Sequence, residues 1–298
     1  LEVLFASHHW PRWGEGAART FLTKQRDLYK YIHDQTLRMA NHGLTPVEIA
    51  EALALPPTLA AEWHTRSYYG TLNHNAKAVY QRYLGWFDGN PANLHRHPPV
   101  EAGRRYVAAM GGADAVLSEG RRALAAGDYR WAAEIVNHLV FADPDNAEAR
   151  ALQADALEQM GYQAESGPWR DFYLTGAQEL RNPIPASATP RQGAAGQLRN
   201  LPADELLDSL SVRLNGDRTG AETISLTVHF SDTGERFQLW VENAVLHHRP
   251  GARGPEARLS RATLIDLVIG QADLAGADVQ GEGAAELGRL LPLLDRFD

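Results

Sequence analysis

The sequence of 298 residues contains no cysteine, which excludes disulfide bonds and thiolate metal ligands. It has no surplus of basic residues either, since 29 Lys and Arg oppose 37 Asp and Glu. Because binding to nucleic acid by charge requires such a surplus, we expect no nucleic-acid partner. No apolar run approaches the roughly 18 residues that a membrane span needs, so we expect no membrane span. The remaining composition, 44% hydrophobic and 22% charged, is typical of a folded globular protein.

Without cysteine, any metal ion would be held by His, Asp or Glu. The chain has 12 histidines but neither an HxHxDH nor an HExxH motif. His95 and His97 have the HxH form, but they lie in a proline-flanked loop with no acid at ligand spacing. The segment VLFASHHWP, residues 3–11, is a better candidate, because hydrolytic metal sites often take a histidine from a strand end. The alternative is a histidine pair on an exposed loop, and one histidine alone cannot hold a metal.

A second candidate site is the segment RSYYGTLNHN, residues 66–75. It crowds hydrogen-bond donors around one glycine. An oxyanion such as sulfate accepts hydrogen bonds from several directions, and these residue types provide them. The alternative is a turn whose aromatic rings simply pack. The candidate donors of this segment are Arg66, Tyr68, Tyr69, Asn73, His74 and Asn75.

Hydrophobic periodicity predicts a mainly helical first part of the chain. Residues 2–7 read as a short buried strand, and residues 15–42 as a long helix. A shorter helix is expected from Thr45, because Pro46 and Glu48 complete a capping box. We predict further helices at residues 59–66 and 76–85, the segment 67–75 as a loop, and helix after helix with short loops from 101 to 181.

Two glycines in that helical region suggest an internal repeat. Gly127 and Gly161 follow a similar pattern and lie 34 residues apart, which is the tetratricopeptide period. One and a half repeats are too few for a superhelix. We therefore predict helical hairpins similar to those of tetratricopeptide repeats.

The composition changes after residue 181. Residues 182–196 are rich in Pro, Gly, Ala and Ser, which indicates a linker. The remainder predicts a compact α+β unit. Its predicted strands are residues 223–230, 235–243 and 244–249, and its predicted helices are residues 202–214, 260–270 and 284–297.

Long segments of this sequence resemble the C-terminal part of the alkyl sulfatases of the metallo-β-lactamase superfamily. The resemblance covers essentially the whole chain, and the order of its segments is more specific than any one of them. The segments that carry it include VLFASHHWPRWG, TPVEIAEALALP, YYGTLNHNAKAVYQRYLGWFDGNP, GDYRWAAEIVNHLVFADP and ALEQMGYQAESGPWRDFYLTGAQELR.

The resemblance implies a multidomain architecture. Residues 1–14 would be the terminal strand and metal-ligand loop of a metallo-β-lactamase αββα catalytic domain whose rest is missing. Residues 15–182 would form an all-α dimerisation domain, and residues 183–196 a linker. Residues 197–298 would form an α+β domain similar to sterol carrier protein 2.

The resemblance also implies an activity, the zinc-dependent hydrolysis of alkyl sulfate detergents such as dodecyl sulfate to an alcohol and sulfate. The family holds two zinc ions per subunit, and His8 would be the last zinc ligand, with His9 as the alternative. Residues 66–74 would supply the sulfate pocket, through Arg66, Tyr68, Tyr69, Asn73 and His74. We also expect a homodimer, an alkyl sulfate or fatty alcohol ligand, and a periplasmic or secreted location.

The HxHxDH motif of the family is absent from this chain, which we therefore expect to be an inactive fragment of the enzyme. An alternative is a non-catalytic module for dimerisation and lipid binding. A helical-repeat scaffold without a ligand is a third reading. Bound zinc would discriminate the enzyme from the alternatives.

Overall fold

The computed structural model describes residues 1–8, 10–182 and 196–295. The chain divides into two compact units, Leu1–Ile184 and Pro185–Asp298. The predicted linker lies outside the described residues, apart from its two end positions, and so does His9.

The first unit is helical, apart from one small hairpin near the N-terminus. Two single-turn 3₁₀ helices, Trp63–Thr65 and Pro91–Asn93, interrupt the series of α-helices. The elements are β1 (Val3–Leu4), β2 (Arg12–Trp13), α1 (Glu15–Asn41), α2 (Pro46–Ala52), α3 (Pro57–Ala60), α4 (Leu72–Leu84), α5 (Pro99–Ala109), α6 (Ala113–Ala125), α7 (Tyr129–Ala142), α8 (Ala147–Gln163) and α9 (Gly167–Arg181).

The N-terminal strand is shorter and more exposed than predicted. Strand β1 has two residues and pairs antiparallel with β2, with Val3 opposite Trp13. Val3 is 42% exposed and Phe5 76% exposed, so the prediction of a buried strand over residues 2–7 is wrong for this structure. A two-stranded ribbon of this length cannot bury its own apolar side chains.

The start of α2 confirms the predicted capping box. The Thr45 backbone N–H donates to Glu48 Oε2 at 2.8 Å, and the Glu48 N–H donates to Thr45 Oγ1 at 3.4 Å. Helix α4 begins earlier than predicted, because Thr71 Oγ1 accepts a hydrogen bond from the His74 N–H at 2.8 Å and caps the helix. The segment predicted as a helix over residues 59–66 is instead the end of α3 and a 3₁₀ turn.

Helices α6 to α9 each pack on the next, as predicted for helical hairpins, whereas α5 packs mainly on α7. Close packing depends on small residues, since a Cβ at Gly103 would lie 2.5 Å from the His138 carbonyl oxygen. The 34-residue echo does not mark equivalent positions. Gly127 lies in the turn between α6 and α7 with a φ of 77°, whereas Gly161 lies inside α8.

The second unit is a four-stranded sheet whose apolar face packs on helices. Its strand order is β5-β4-β3-β6, antiparallel except for the parallel pair β3 and β6. Strand β6 was not predicted, because its four residues carry a weak pattern. The predicted final helix ends early, since Pro292 cannot continue it. The elements are α10 (Ala203–Ser211), α11 (Gly216–Thr219), β3 (Ile224–Phe230), β4 (Arg236–Glu242), β5 (Val245–Pro250), β6 (Glu256–Leu259), α12 (Arg261–Val268) and α13 (Ala284–Leu290).

The core of the second unit comes from alternate strand residues and the inner faces of three helices. Leu226, Val228 and Phe230 of β3 are fully buried. Leu207 of α10 and Leu290 of α13 pack in the same cluster. Among the described residues, no helix is long and apolar enough to cross a membrane.

Candidate functional site

A cavity of about 540 Å³ in the first unit brings together residues from both predicted sites. It lies between the N-terminal segment, α1 and the loop before α4. Its lining has two parts, which we call the polar rim and the apolar wall. The polar rim consists of His8, Arg66, Tyr68 and Tyr69, and the apolar wall consists of Phe21, Leu28, Ile32, Leu55 and Leu72.

The two parts of the lining differ in exposure. Arg66 and Tyr69 are exposed, and the Tyr69 side chain is 74% accessible to solvent. Ile32 is only 5% exposed, while Leu28 and Leu72 are half-buried. The cavity is therefore polar where it meets solvent and apolar on its more buried side.

The loop that carries the rim is held by the start of α9. The Gly167 N–H donates to the Tyr68 carbonyl oxygen at 2.9 Å, and Ser166 Oγ donates to the Tyr69 carbonyl oxygen at 2.5 Å. Ser166 is buried and also caps α9 through the Trp169 N–H. The backbone of both tyrosines is thus fixed by a helix almost a hundred residues away along the chain.

Arg66 supplies the cationic group of the rim. Its guanidinium forms an ion pair with Glu165 and lies 5.7 Å from the centroid of the Tyr68 ring. The Arg66 side chain is 57% exposed, so solvent weakens the ion pair. A guanidinium has five N–H donors, so one carboxylate leaves other donors for an anion.

The structure places His8 beside Tyr69, although the sequence suggested that these residues belong to two separate sites. The His8 and Tyr69 rings stack with centroids 6.3 Å apart and planes inclined by 25°. The small hairpin of β1 and β2 carries His8 to this position.

Asn73 and His74 do not line this cavity. Helix α4 already includes both residues, and its first turn directs them elsewhere. Asn73 Nδ2 donates to the Ala50 carbonyl oxygen at 3.2 Å and to Glu51 Oε1 at 3.3 Å, which ties α4 to α2. The structure thus brings three of the five predicted sulfate ligands to one cavity.

Two polar residues that line the cavity, Gln25 and His64, were not predicted from the sequence. Gln25 Nε2 donates to the His64 carbonyl oxygen at 2.7 Å, and the His64 ring stacks on Phe21 at 4.5 Å. Asn75, which the sequence had suggested as a donor, also lines the cavity and lies against Gly70, where an added Cβ would approach its Oδ1 to 2.9 Å. The helical stripe of α1 gave a signal for Gln25, since it falls four residues after Phe21 on the same face.

Among the described residues, no group of three or more His, Asp or Glu side chains could hold a metal ion. His8 contributes a single imidazole. His95 and His97 are exposed in the loop after the 3₁₀ turn at Pro91–Asn93 and join no such group.

The chain thus combines a unit of packed helices that contains an amphipathic cavity with a unit in which helices cover one face of a sheet. This combination can be compared with known protein families. Two family profiles match this chain. One is described as "Alkyl sulfatase dimerisation" and matches residues 45–183, and the other is described as "Alkyl sulfatase C-terminal" and matches residues 191–298. The chain belongs to the alkyl sulfatase family, which confirms the resemblance seen in the sequence.

Three relatives are similar along essentially the whole chain. A linear primary-alkylsulfatase of a Pseudomonas species is 46% identical over 100% of this chain and 46% of that protein. An (R)-specific secondary-alkylsulfatase of a Pseudomonas species is 46% identical over 99% of this chain and 46% of that protein. The alkyl/aryl-sulfatase BDS1 of Saccharomyces cerevisiae is 45% identical over 100% of this chain and 47% of that protein.

A solved structure gives the same result. The structure of the inverting sec-alkylsulfatase Pisa1 from a Pseudomonas species matches with a TM-score of 0.90 and 44% sequence identity. The match covers 100% of this chain and 48% of the Pisa1 chain. The chain therefore spans a little under half the length of the relatives that it matches.

Proposed function

We propose that the protein to which this chain belongs hydrolyses alkyl sulfate esters, such as the detergent dodecyl sulfate, to an alcohol and inorganic sulfate. The observation that carries the proposal is the cavity of the first unit, which joins the polar rim to the apolar wall. The substrate class has the same division, with an anionic sulfate at one end and an alkyl chain at the other.

The rim suits the sulfate end. The Arg66 guanidinium and the hydroxyl groups of Tyr68 and Tyr69 are donors for sulfate oxygens, and the arginine also supplies charge. The apolar wall suits the alkyl end, because each methylene group removed from water contributes about 0.8 kcal/mol to binding. An inorganic anion alone would gain nothing from that wall.

Hydrolysis adds the elements of water across the sulfate ester, and negative charge develops as the ester bond breaks. Donors fixed around the sulfate stabilise that charge best when they do not have to reorganise. The hydrogen bonds from Gly167 and Ser166 to the backbone of Tyr68 and Tyr69 provide that rigidity.

We call the protein to which this chain belongs the longer protein. The proposal includes two zinc ions per subunit of the longer protein, which would supply an activated hydroxide. The described residues do not fit a zinc site by themselves, because no three ligands come together. His8 would contribute one ligand, with His9 as the alternative.

The finer fold assignments are also part of the proposal. Residues 1–14 would end a metallo-β-lactamase-type catalytic domain, and the second unit would be a domain similar to sterol carrier protein 2. Its helix-covered four-stranded sheet supports the latter. The description of the profile over residues 45–183 supports a homodimer. We also propose a periplasmic or secreted location.

The alternative is a non-catalytic dimerisation and lipid-binding module. The observation that favours it is that the described residues form no metal-binding group. Such a module would bind alkyl sulfates in the same cavity and would release no sulfate.

The test is sulfate release from decyl sulfate by the longer protein, before and after removal of metal with a chelator. We expect release that stops on chelation and returns with zinc. In Arg66→Gln we expect KM to rise at least tenfold, because the charged donor is lost. The control is Arg104→Gln, which alters an exposed arginine of α5 away from the cavity. Binding without release would favour the module, and equal KM values in both variants would contradict the assignment of the cavity.

A further inference from the structure

In the part of the chain that the structure describes, the sheet of the second unit has one face that carries mainly polar side chains. We call it the outer face. The pairing register places Gln238 opposite Thr227 and Arg249, and Trp240 opposite His247. The outer face consists of Ser225, Thr227, His229, Arg236, Gln238, Trp240, Glu242, Val245, His247, Arg249, Glu256 and Arg258.

A cavity of about 450 Å³ lies on this face. Two arginines from different segments line it, Arg249 from β5 and Arg253 from the loop between β5 and β6. The second unit is otherwise rich in acidic residues, so two arginines at one cavity are a local excess of positive charge. The other polar lining residues include Ser225, Gln238 and Glu242.

Arg249 is held in place by its neighbours on the sheet. Its Nε donates to Gln238 Oε1 at 2.9 Å, and its guanidinium lies 5.5 Å from the centroid of the Trp240 ring. The Trp240 ring in turn stacks on His247 at 5.0 Å, with planes inclined by 17°. Gln238 and Trp240 therefore hold the Arg249 guanidinium at the cavity, and its hydrogen bond to Gln238 uses only the Nε donor.

The backbone at Arg253 is fixed as well. The Arg253 N–H donates to Thr227 Oγ1 at 2.8 Å, and Thr227 Oγ1 donates to the Arg253 carbonyl oxygen at 3.1 Å. Thr227 is 1% exposed. The Arg253 side chain is exposed and forms no hydrogen bond or ion pair with any residue that the structure describes.

Glu242 is the one acidic group in the lining among the described residues. Its Oε1 accepts a hydrogen bond from Trp240 Nε1 at 3.2 Å, which turns the carboxylate toward the indole. The lining therefore contains two guanidinium groups and one carboxylate, and that carboxylate already accepts a hydrogen bond. The cavity has a net positive charge and lies beside the Trp240 ring.

We propose that this cavity is a second anion site, which binds the sulfate group between Arg249 and Arg253 with Ser225 and Gln238 as further polar contacts. A tetrahedral oxyanion accepts paired hydrogen bonds from guanidinium groups, and the flat Trp240 ring excludes water from one side. The identity of the anion rests on the proposed function, which makes sulfate the product and an alkyl sulfate the substrate. Either source presents the same sulfate oxygens.

The test uses the intact 298-residue chain and the fluorescence of Trp240. Trp240 is the only tryptophan beyond residue 182, and Trp240→Phe provides the background to subtract. Sodium sulfate and hexyl sulfate are titrated separately at constant ionic strength, the latter below its micelle concentration. We expect a saturable change that weakens at least tenfold in Arg253→Gln. The matched control Arg258→Gln removes an exposed arginine of β6 outside the cavity and should leave binding unchanged.

A response to both probes supports a site for the sulfate group itself, and a response to hexyl sulfate alone supports a site for the substrate headgroup. No saturable response, or equal weakening in Arg253→Gln and Arg258→Gln, overturns the proposal. Arg249→Gln serves as a second variant, and near-ultraviolet circular dichroism checks that each variant is folded. Sulfate release by the longer protein is measured separately, so failure of this site and failure of the proposed function give different results.

Discussion

The Ser166 hydroxyl donates a hydrogen bond to the Tyr69 carbonyl oxygen at 2.5 Å, across 97 positions of the chain. Ser166 is 1% exposed, so water cannot readily replace this contact. The same oxygen caps α9 by accepting from the Trp169 N–H at 3.3 Å. One buried side chain therefore joins the end of the helical unit to the polar rim of the cavity.

Ser166→Ala should destabilise the first unit and loosen the rim. Loss of a helix cap costs about 1 kcal/mol, and the unpaired Tyr69 carbonyl adds about 1 kcal/mol more. The measurement is urea denaturation followed by tryptophan fluorescence. Ser118→Ala, in the exposed middle of α6, is the control and should change stability little. Equal stability of Ser166→Ala and wild type would contradict the role of this contact.

Gly103→Ala should separate α5 from α7. The new Cβ would lie 2.5 Å from the His138 carbonyl oxygen and 3.2 Å from the Ala142 nitrogen, which are backbone atoms and cannot rotate away. We expect a loss of about 2 kcal/mol, as for an overpacked core. Gly16→Ala is the control, because nothing lies within 4 Å of its added Cβ. It should be neutral or slightly stabilising. The measurement is the thermal unfolding temperature of both variants. A greater loss of stability in Gly16→Ala than in Gly103→Ala would contradict the close packing of α5 on α7.

Elements with strong local signals were predictable from the sequence. Thr45 and Glu48 form the expected capping box, since each requires only a neighbour three residues away. The turn at Gly127 could not be distinguished in the sequence from the helix interior at Gly161. Both glycines serve packing or turning, and only the three-dimensional surroundings distinguish these roles.

The candidate site was predictable in its residue types and only partly in its membership. Arg66, Tyr68 and Tyr69 line the cavity, but Thr71 starts a helix that moves Asn73 away from it. The contribution of Ser166 could not be found in the sequence, because its partner lies in a distant segment. Long-range contacts of that kind have no local signal.

Acid should destabilise the protein partly through Glu119. Hydrogen bonds from Arg122 and then Trp131 hold the pKa of Glu119 at about 2, below its usual 4.5. Because the pKa is lower in the folded state, this contribution is present above about pH 4.5 and is lost as pH falls toward 2. In Glu119→Gln, the decline of stability over this range should be shallower. The measurement is urea denaturation across the pH series.

The control for that series is Glu179→Gln, which alters an exposed carboxylate of α9 with no hydrogen bond to its side chain among the residues described. Its decline of stability with acid should match the wild type. A titration of Glu119 by nuclear magnetic resonance near 4.5 would contradict the predicted shift.

Leu28→Ser should make binding depend less on the length of the alkyl chain. Leu28 lies on the apolar wall, and a polar side chain there reduces the burial of methylene groups. We expect the affinity for decyl sulfate to fall by about 1 kcal/mol, or roughly fivefold, with a smaller change for hexyl sulfate. Leu22→Ser, on the exposed side of α1, is the control. Isothermal titration calorimetry checks both, and equal losses for the two chain lengths would count against the wall.

The most direct test of the central claim is a crystal structure of the longer protein soaked with a non-hydrolysable decyl sulfonate. We predict the sulfonate group within hydrogen-bonding distance of Arg66 and beside Tyr69, with the alkyl chain along Leu28 and Ile32. A sulfonate bound elsewhere, with the cavity filled only by solvent, would contradict the assignment of this cavity to the substrate.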